Sequence, residues 1–299
     1  MEKQVKKVTL IHDGFRLDNF VSSVDERISR TLAQTLIKNG EILLDGKVSK
    51  VSSKVHEGQE VSIPEVLKEE INESLVPEDI PIDVLYEDED ILVVNKPKDM
   101  VVHPAIGNKT GTLVNAILGK TELSDYNGEF RPGIVHRLDK NTTGVMVVAK
   151  NNLAHQNIAE QIQNRTTKKI YLALVRGMVK EENGVIDLPI GRHPTDRKKM
   201  AVTLKNSKNA ITHYKVIEEH ENYSVLSVKI ETGRTHQIRV HMAHIGHPIV
   251  GDTLYGAESE LINRQALHSF KTSFVHPITR EEIIIRAELP EDISVLLKI

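Results

Sequence analysis

The chain has 299 residues, a formal net charge of -3 and no cysteine. That length accommodates one large domain and a small one. The missing thiols exclude disulfides, thiolate zinc sites and a cysteine nucleophile. No apolar run approaches membrane-spanning length and the start, Met1 to Lys7, is polar and basic, so a cytoplasmic protein without a membrane partner is expected. Charge is unevenly spread. Residues 1–80 carry 11 Lys+Arg against 15 Asp+Glu, whereas residues 131–250 carry 19 against 10. A basic centre within an acidic chain fits a cleft that meets phosphates while the outer face stays solvated.

In chain order, Leu17, Phe20, Val21 and Val24 share one helical face. Ser29 is the expected cap of a second helix through Leu32 and Leu36, closed by Gly40. Asp45-Gly46 predicts a tight hairpin turn, and Val55, Gly58 and Val61 to Ile63 complete a small β-rich unit. The stretch 13–63 resembles the S-four-like RNA-binding domain, in which the helix pair usually touches RNA. That resemblance makes Arg30, Lys38 and Lys47 the RNA-contact candidates of the small domain. Residues 64–80, charged and punctuated by Pro77, read as a linker. Residues 81–299 then form the larger domain.

The larger domain opens with an apolar strand at Ile91 to Val94, and Asn95-Lys96-Pro97 follows it as a rigid loop. Its focus is His136-Arg137-Leu138-Asp139-Lys140-Asn141-Thr142-Thr143-Gly144, with a buried strand predicted from Val145 to Ala149. Here a carboxylate lies between two cations on a loop fixed by a strand, a common setting for chemistry. Asn151 is placed to cap a helix carrying Ala154, Ile158 and Ile162. Lys168 to Arg176 alternates as a strand, with Tyr171, Ala173 and Val175 on one face. Another strand, Tyr223 to Ile230, precedes Thr232-Gly233-Arg234-Thr235-His236-Gln237-Ile238-Arg239-Val240-His241. Thr235 is read as the cap of a helix with Ile238, Met242 and Ile245 inward and Gly246 at its end. Arg234 would then stand at a helix N-terminus, a site that favours a carboxylate or phosphate.

These segments, together with Lys169-x-Tyr171-x-Ala173, Gly251-Asp252-x-x-Tyr255-Gly256 and Gln265-Ala266-Leu267-His268, resemble the RluA/RluD pseudouridine synthases in order and over nearly the whole chain. The fold this implies is α+β: a mixed, mainly antiparallel sheet with a central cleft, plus the small N-terminal domain. The implied activity turns uridine into pseudouridine in RNA, most specifically large-subunit 23S ribosomal RNA within an assembling particle, by a monomer that needs neither metal nor cofactor. Carried onto this sequence, the resemblance makes Asp139, Tyr171 and Arg234 catalytic. Arg234 is expected to pair with Asp139 and fix its direction. Tyr171 would stack on uracil and face its carbon 5. Arg137 is expected to fill the space left by a flipped base, His136 to shape the loop, Arg239 to bind backbone phosphate, and Lys96 to contact substrate.

Two other classes compete. His236, His241, His244 and His247 could serve a metal-dependent hydrolase. A non-catalytic RNA-binding or ribosome-assembly factor would need the basic surface but no carboxylate beside it.

Overall fold

A computed structural model describes residues 3–25, 28, 30–64, 75–104, 108–126, 131–196 and 198–297. The expected cap Ser29 and linker residues 65–74 lie outside the described residues. The chain divides into two compact units, Met1–Ser74 and Leu75–Ile299.

In the first unit, strand β1 (Lys3–Lys7) leads into helices α1 (Leu17–Val24) and α2 (Arg30–Lys38), then strands β2 (Leu43–Leu44) and β3 (Glu60–Pro64). The sheet order is β1-β3-β2, all antiparallel. The unit thus starts before residue 13, because Lys3–Lys7 supplies a full strand. Leu17, Phe20 and Val21 of α1 and Ala33, Leu36 and Ile37 of α2 pack on Val61 and Ile63. Asp45 and Gly46 take φ of 49° and 73°, the left-handed pair that matches a hairpin's twist, and Leu44 and Lys47 exchange both backbone hydrogen bonds.

The second unit begins earlier than the expected boundary. Leu75 and Ile80 pack on its core, and the Asn115 amide donates to the Val76 carbonyl at 2.8 Å. Its elements are β4 (Asp83–Glu87), β5 (Ile91–Lys96), α3 (Leu113–Leu118), β6 (Thr143–Ala149), α4 (Asn152–Gln163), β7 (Lys168–Arg176), β8 (Asn183–Asp187), β9 (Ile190–Arg192), β10 (Met200–Val202), β11 (Ile211–Glu219), β12 (Tyr223–Ile230), α5 (Gln237–His244), β13 (Leu267–Val275), β14 (Glu282–Arg286) and α6 (Glu291–Ser294). One nine-stranded sheet runs β4-β5-β6-β13-β7-β12-β11-β8, with β14 paired to β13. Among the described strands, only β6 and β13 pair in parallel. The sheet is therefore mixed and mainly antiparallel, and β9 and β10 form a separate hairpin.

All of β6 is buried, which explains its unbroken apolar run. Met146 and Val148 face one core with Ile238 and Met242 of α5. Val145, Val147 and Ala149 face the other with Ala154 and Ile158 of α4. Asn151 caps α4 by accepting from the Ala154 N–H at 2.9 Å. Where β6 meets β13, Gly144 has φ of 111°, and an added Cβ would fall on the Ser269 backbone. Only glycine lets the two strands approach this closely at that backbone angle.

Candidate active site

Asp139 sits in the loop that feeds β6, and three buried or half-buried groups fix that loop from behind. The Lys96 ammonium donates to Pro97 O, Met100 O and Lys140 O at 2.7, 2.9 and 2.9 Å. Arg264 donates to the Asn141 carbonyl at 2.9 Å while forming a two-pronged pair with Asp292. The Asn141 side chain accepts from the Asp99 N–H at 3.2 Å. Burial pulls the Lys96 pKa down to about 7 while Asp139 opposes the shift. Three carbonyl acceptors call for three N–H donors, which only the ammonium supplies. Lys96 is fully buried and all its donors are used. It therefore braces the loop, and the substrate contact expected of it is corrected. The strand alternation carried that signal, since Leu92 and Val94 on the same face also point into the core.

The carboxylate's cationic partner is Arg239, whose Nη1 lies 3.0 Å from Asp139 Oδ2. Arg239 is buried and also makes a two-pronged pair with Asp252, at 2.7 and 2.9 Å. Burial works against its charge, and Asp252 and Asp139 more than offset this. Asp252 is itself buried and accepts from the Leu254 N–H at 3.0 Å, so Arg239 is aimed from two directions. Two expectations change here. Arg239 does not hang free for phosphate, and Arg234 does not pair with Asp139. Arg234 instead donates from Nε to the Asn209 carbonyl at 3.0 Å.

The reason is where the helix starts. His236 adopts a left-handed φ of 56° as the residue before α5, and Thr235 caps nothing. Gln237, the first residue of α5, instead ties down the preceding loop, its Oε1 accepting from the Arg234 N–H and the Thr232 hydroxyl at 3.0 and 2.8 Å. With α5 beginning at Gln237, the inward stripe of Ile238 and Met242 carries Arg239 beside it. The spacing to Met242 is three residues, a signal that favoured Arg239 over Arg234.

His236 Nδ1 lies 2.8 Å from the Tyr255 hydroxyl, which accepts from the Met200 N–H at 2.8 Å. Its Nε2 is 3.9 Å from Asp139 Oδ1. Arg239 also stands over the Tyr255 ring, 5.1 Å from its centre. Sequence reasoning gave neither His236, Tyr255 nor Asp252 a role in this cluster, although all three fall within the quoted segments.

Tyr171 is buried on β7, paired with Val228 of β12 and Ser269 of β13. Burial pushes its pKa up to about 12, Asp139 adds to the rise, and a hydrogen bond with Ser269 opposes it. At neutral pH it is a phenol, not a phenolate. His136 Nε2 accepts from the Val147 N–H at 3.0 Å, and burial, with Lys169 adding, holds its pKa well below the usual value. It is a neutral loop brace. Arg137 is exposed and makes no ion pair with another described residue.

Among the described residues, His236, His241, His244 and His247 form no grouping with metal-ligand spacing. His241 uses both ring nitrogens on Thr212 Oγ1 and Leu188 O, each at 2.9 Å, and His247 is bound to Arg176 O at 2.9 Å. Among the described residues, the grouping with metal-ligand spacing is Asp88, Asp90 and His276. Asp88 there accepts from Tyr86, His276 and the Asp90 and Ile91 N–H groups, a self-satisfied hydrogen-bond knot.

In the small unit, Asp18 is fully buried and accepts from Arg16, Arg30 and Gln34 at 2.9, 3.0 and 2.7 Å. Burial would raise its pKa, and those three donors hold it far below the usual carboxylate range. Arg30 is therefore anchored with its side chain half exposed, while Lys38 and Lys47 are exposed.

The RNA pseudouridylate synthase family matches residues 90–244, and the S4 domain matches residues 15–61. The chain belongs to the RNA pseudouridine synthase family. It is 44% identical over 289 residues to "Uncharacterized RNA pseudouridine synthase YlyB" of Bacillus subtilis (strain 168), covering 95% of this chain and 93% of that protein. It is 42% identical over 302 residues to "Ribosomal large subunit pseudouridine synthase D" of Escherichia coli O6:H1, covering 96% and 90% respectively. Among solved structures, the chain is similar to "Human RNA Pseudouridylate Synthase Domain Containing 1". The TM-score there is 0.58 at 29% identity, covering 71% of this chain and 85% of that one. This pseudouridine synthase is thus an isomerase with an N-terminal S4 domain. No helix among the described residues is long and apolar enough to cross a membrane.

Proposed function

We propose that the enzyme isomerises uridines of large-subunit 23S ribosomal RNA, with Asp139 as the group that attacks at the sugar. The observation that carries the catalytic part is the one-sided clamp on Asp139. Arg239 holds Oδ2 at 3.0 Å, while the ion-pairing group nearest Oδ1 among the described residues is His236, at 3.9 Å. A carboxylate fixed in direction with one oxygen free suits addition to a carbon or support of an oxocarbenium-like transition state. The ribosomal part is supported by relatives at 42% identity whose names specify the large subunit.

In this reading the N1–C1′ bond breaks, the uracil turns, a C5–C1′ bond forms, and the C5 proton leaves as N1 gains one. The atoms of the nucleoside are conserved and need no cofactor. Tyr171, a buried neutral phenol that feels the Asp139 charge, offers its ring face to uracil and its oxygen to the C5 proton. Because Tyr171 is protonated, it can take the C5 proton only after giving its own proton to uracil N1, and since burial and Asp139 disfavour the phenolate between those transfers, loss of Asp139's charge, as in ester formation, eases them. Arg137, exposed two residues before Asp139, fills the stack that the flipped nucleotide leaves, offsetting part of a cost of a few kcal/mol. Arg30, Lys38 and Lys47 supply phosphate contacts from the S4 domain.

Mapping pseudouridine across ribosomal RNA from cells with and without this protein tests the substrate. The expected result is loss of a defined set of large-subunit positions. Retention of every position would remove ribosomal RNA as the substrate.

A further inference from the structure

The Met200, Tyr255, His236 and Asp139 groups form a continuous polar line. The phenol oxygen of Tyr255 accepts from the Met200 N–H at 2.8 Å and lies 2.8 Å from His236 Nδ1, where the two groups share one hydrogen that either can donate. The Asp139 carboxylate beside the ring favours the tautomer with its hydrogen on Nε2 and with Tyr255 donating to Nδ1, and that Nε2 faces Oδ1 across 3.9 Å. This is too long for a direct hydrogen bond. Oδ2 is taken by Arg239, and both the His236 and Asp139 side chains remain partly open to solvent, at 18% and 16%. A donor and an acceptor 3.9 Å apart are close enough for one oxygen set beside both, off the line joining them, to hydrogen-bond with each.

The group that fits is narrowly defined. A carbonyl or phosphate oxygen would accept from His236 but oppose the carboxylate. An imide N–H would donate to Asp139 but cannot accept from His236 at the same atom. A hydroxyl does both. We propose that His236 recognises the ribose 2′-hydroxyl of the target nucleotide, which accepts from Nε2–H and donates to Asp139 Oδ1. The assignment rests on Asp139 acting at the sugar, because the carbon bearing this hydroxyl is bonded to C1′. The pair would then serve to distinguish RNA from DNA at the reacting nucleotide. The left-handed backbone of His236 has a use in this arrangement, since it turns the ring back over the loop before α5 begins.

The test uses the full-length enzyme and an RNA fragment carrying a mapped target uridine. That uridine is replaced in turn by 2′-deoxyuridine and by N3-methyluridine. Removing the hydroxyl also changes the nucleoside's own reactivity, so the readout is how the ribose-to-deoxyribose rate ratio differs between enzymes. For the wild type, single-turnover rates should favour the ribose target more than in His236→Ala, with the ratio collapsing about tenfold in the variant, the equivalent of one hydrogen bond of about 1.4 kcal/mol. His236→Asn tolerates the left-handed backbone but is too short to reach; it should show the same collapse. Equal ratios in the wild type and both variants would overturn the proposal. So would a loss of rate by the same factor on both sugars, which a purely structural role gives, or a collapse of the N3-methyl ratio instead, which would place the uracil imide edge in the gap. A wild type that forms no pseudouridine in any RNA would sink the underlying functional reading, a distinct result.

Discussion

Asp139 and Arg239, one hundred residues apart in the chain, meet at 3.0 Å with the guanidinium buried and Asp252 clamped to its far side. The site is in this sense two charged layers deep. Asp252 aims Arg239, and Arg239 aims the carboxylate.

Truncating the middle of that chain should be costly. Arg239→Ala leaves Asp252 buried without its partner, a change that typically destabilises by about 3–5 kcal/mol. Thermal unfolding should show the loss. Asp252→Asn keeps a hydrogen-bond acceptor and should lose less stability while lowering the rate of product formation at saturating RNA. Equal melting temperatures for wild type and Arg239→Ala would show that the clamp does not hold the fold.

Gly144 offers a purely steric prediction. A methyl group there would lie 2.8 Å from both Ser269 N and C, on a backbone with φ of 111°. Gly144→Ala should destabilise by about 1–3 kcal/mol or more, read by denaturant titration. It should also displace Asp139, so that activity falls even in the fraction that folds. A neutral result would mean that β6 and β13 can separate freely.

Buried histidines set the acid limit of stability. Burial lowers the pKa of His268 to about 4 and that of His136 well below 6.5, and His103 falls to about 4 with Arg131 and Arg137 adding to burial. These groups are depressed in the folded state, so the unfolded chain takes up more protons as pH drops. Stability should be full above about pH 6.5 and decline below it, on the order of 1 kcal/mol per pH unit for each such histidine. Melting temperature measured from pH 8 to pH 4.5 checks the sign. A protein equally stable across that range would contradict it.

The small unit makes a separate prediction about salt. Lys38→Gln and Lys47→Gln should each weaken RNA binding and reduce the slope of log affinity against log salt by about 1 if each neutralises one phosphate. Unchanged slopes would remove both lysines from the RNA surface, leaving Arg30, which Asp18 anchors in place.

Much of this architecture was legible in the sequence because its cues are local. The Asp45-Gly46 turn, the Asn151 cap and the unbroken apolar run of β6 each depend on residues within a few positions. The identity of Asp139's partner was not local. It turned on a one-residue delay in the start of α5, which follows from His236 adopting a left-handed conformation that few non-glycine residues take. Lys96 was misread for a related reason. A lysine at a strand end looks solvent-facing until the strand is seen to continue to it, with three carbonyls waiting on the buried side. Asp252 carried no distinguishing pattern, since a buried acid is recognisable only once its guanidinium is in place.

The account depends most directly on the chemistry of one oxygen pair. Pseudouridine formation should be measured for Asp139→Asn against the wild type on the same ribosomal RNA, alongside RNA affinity. The expected result is an affinity within about threefold of the wild type, less than 1 kcal/mol, and no detectable product. Product formed at an appreciable rate by Asp139→Asn would contradict the assignment of the carboxylate.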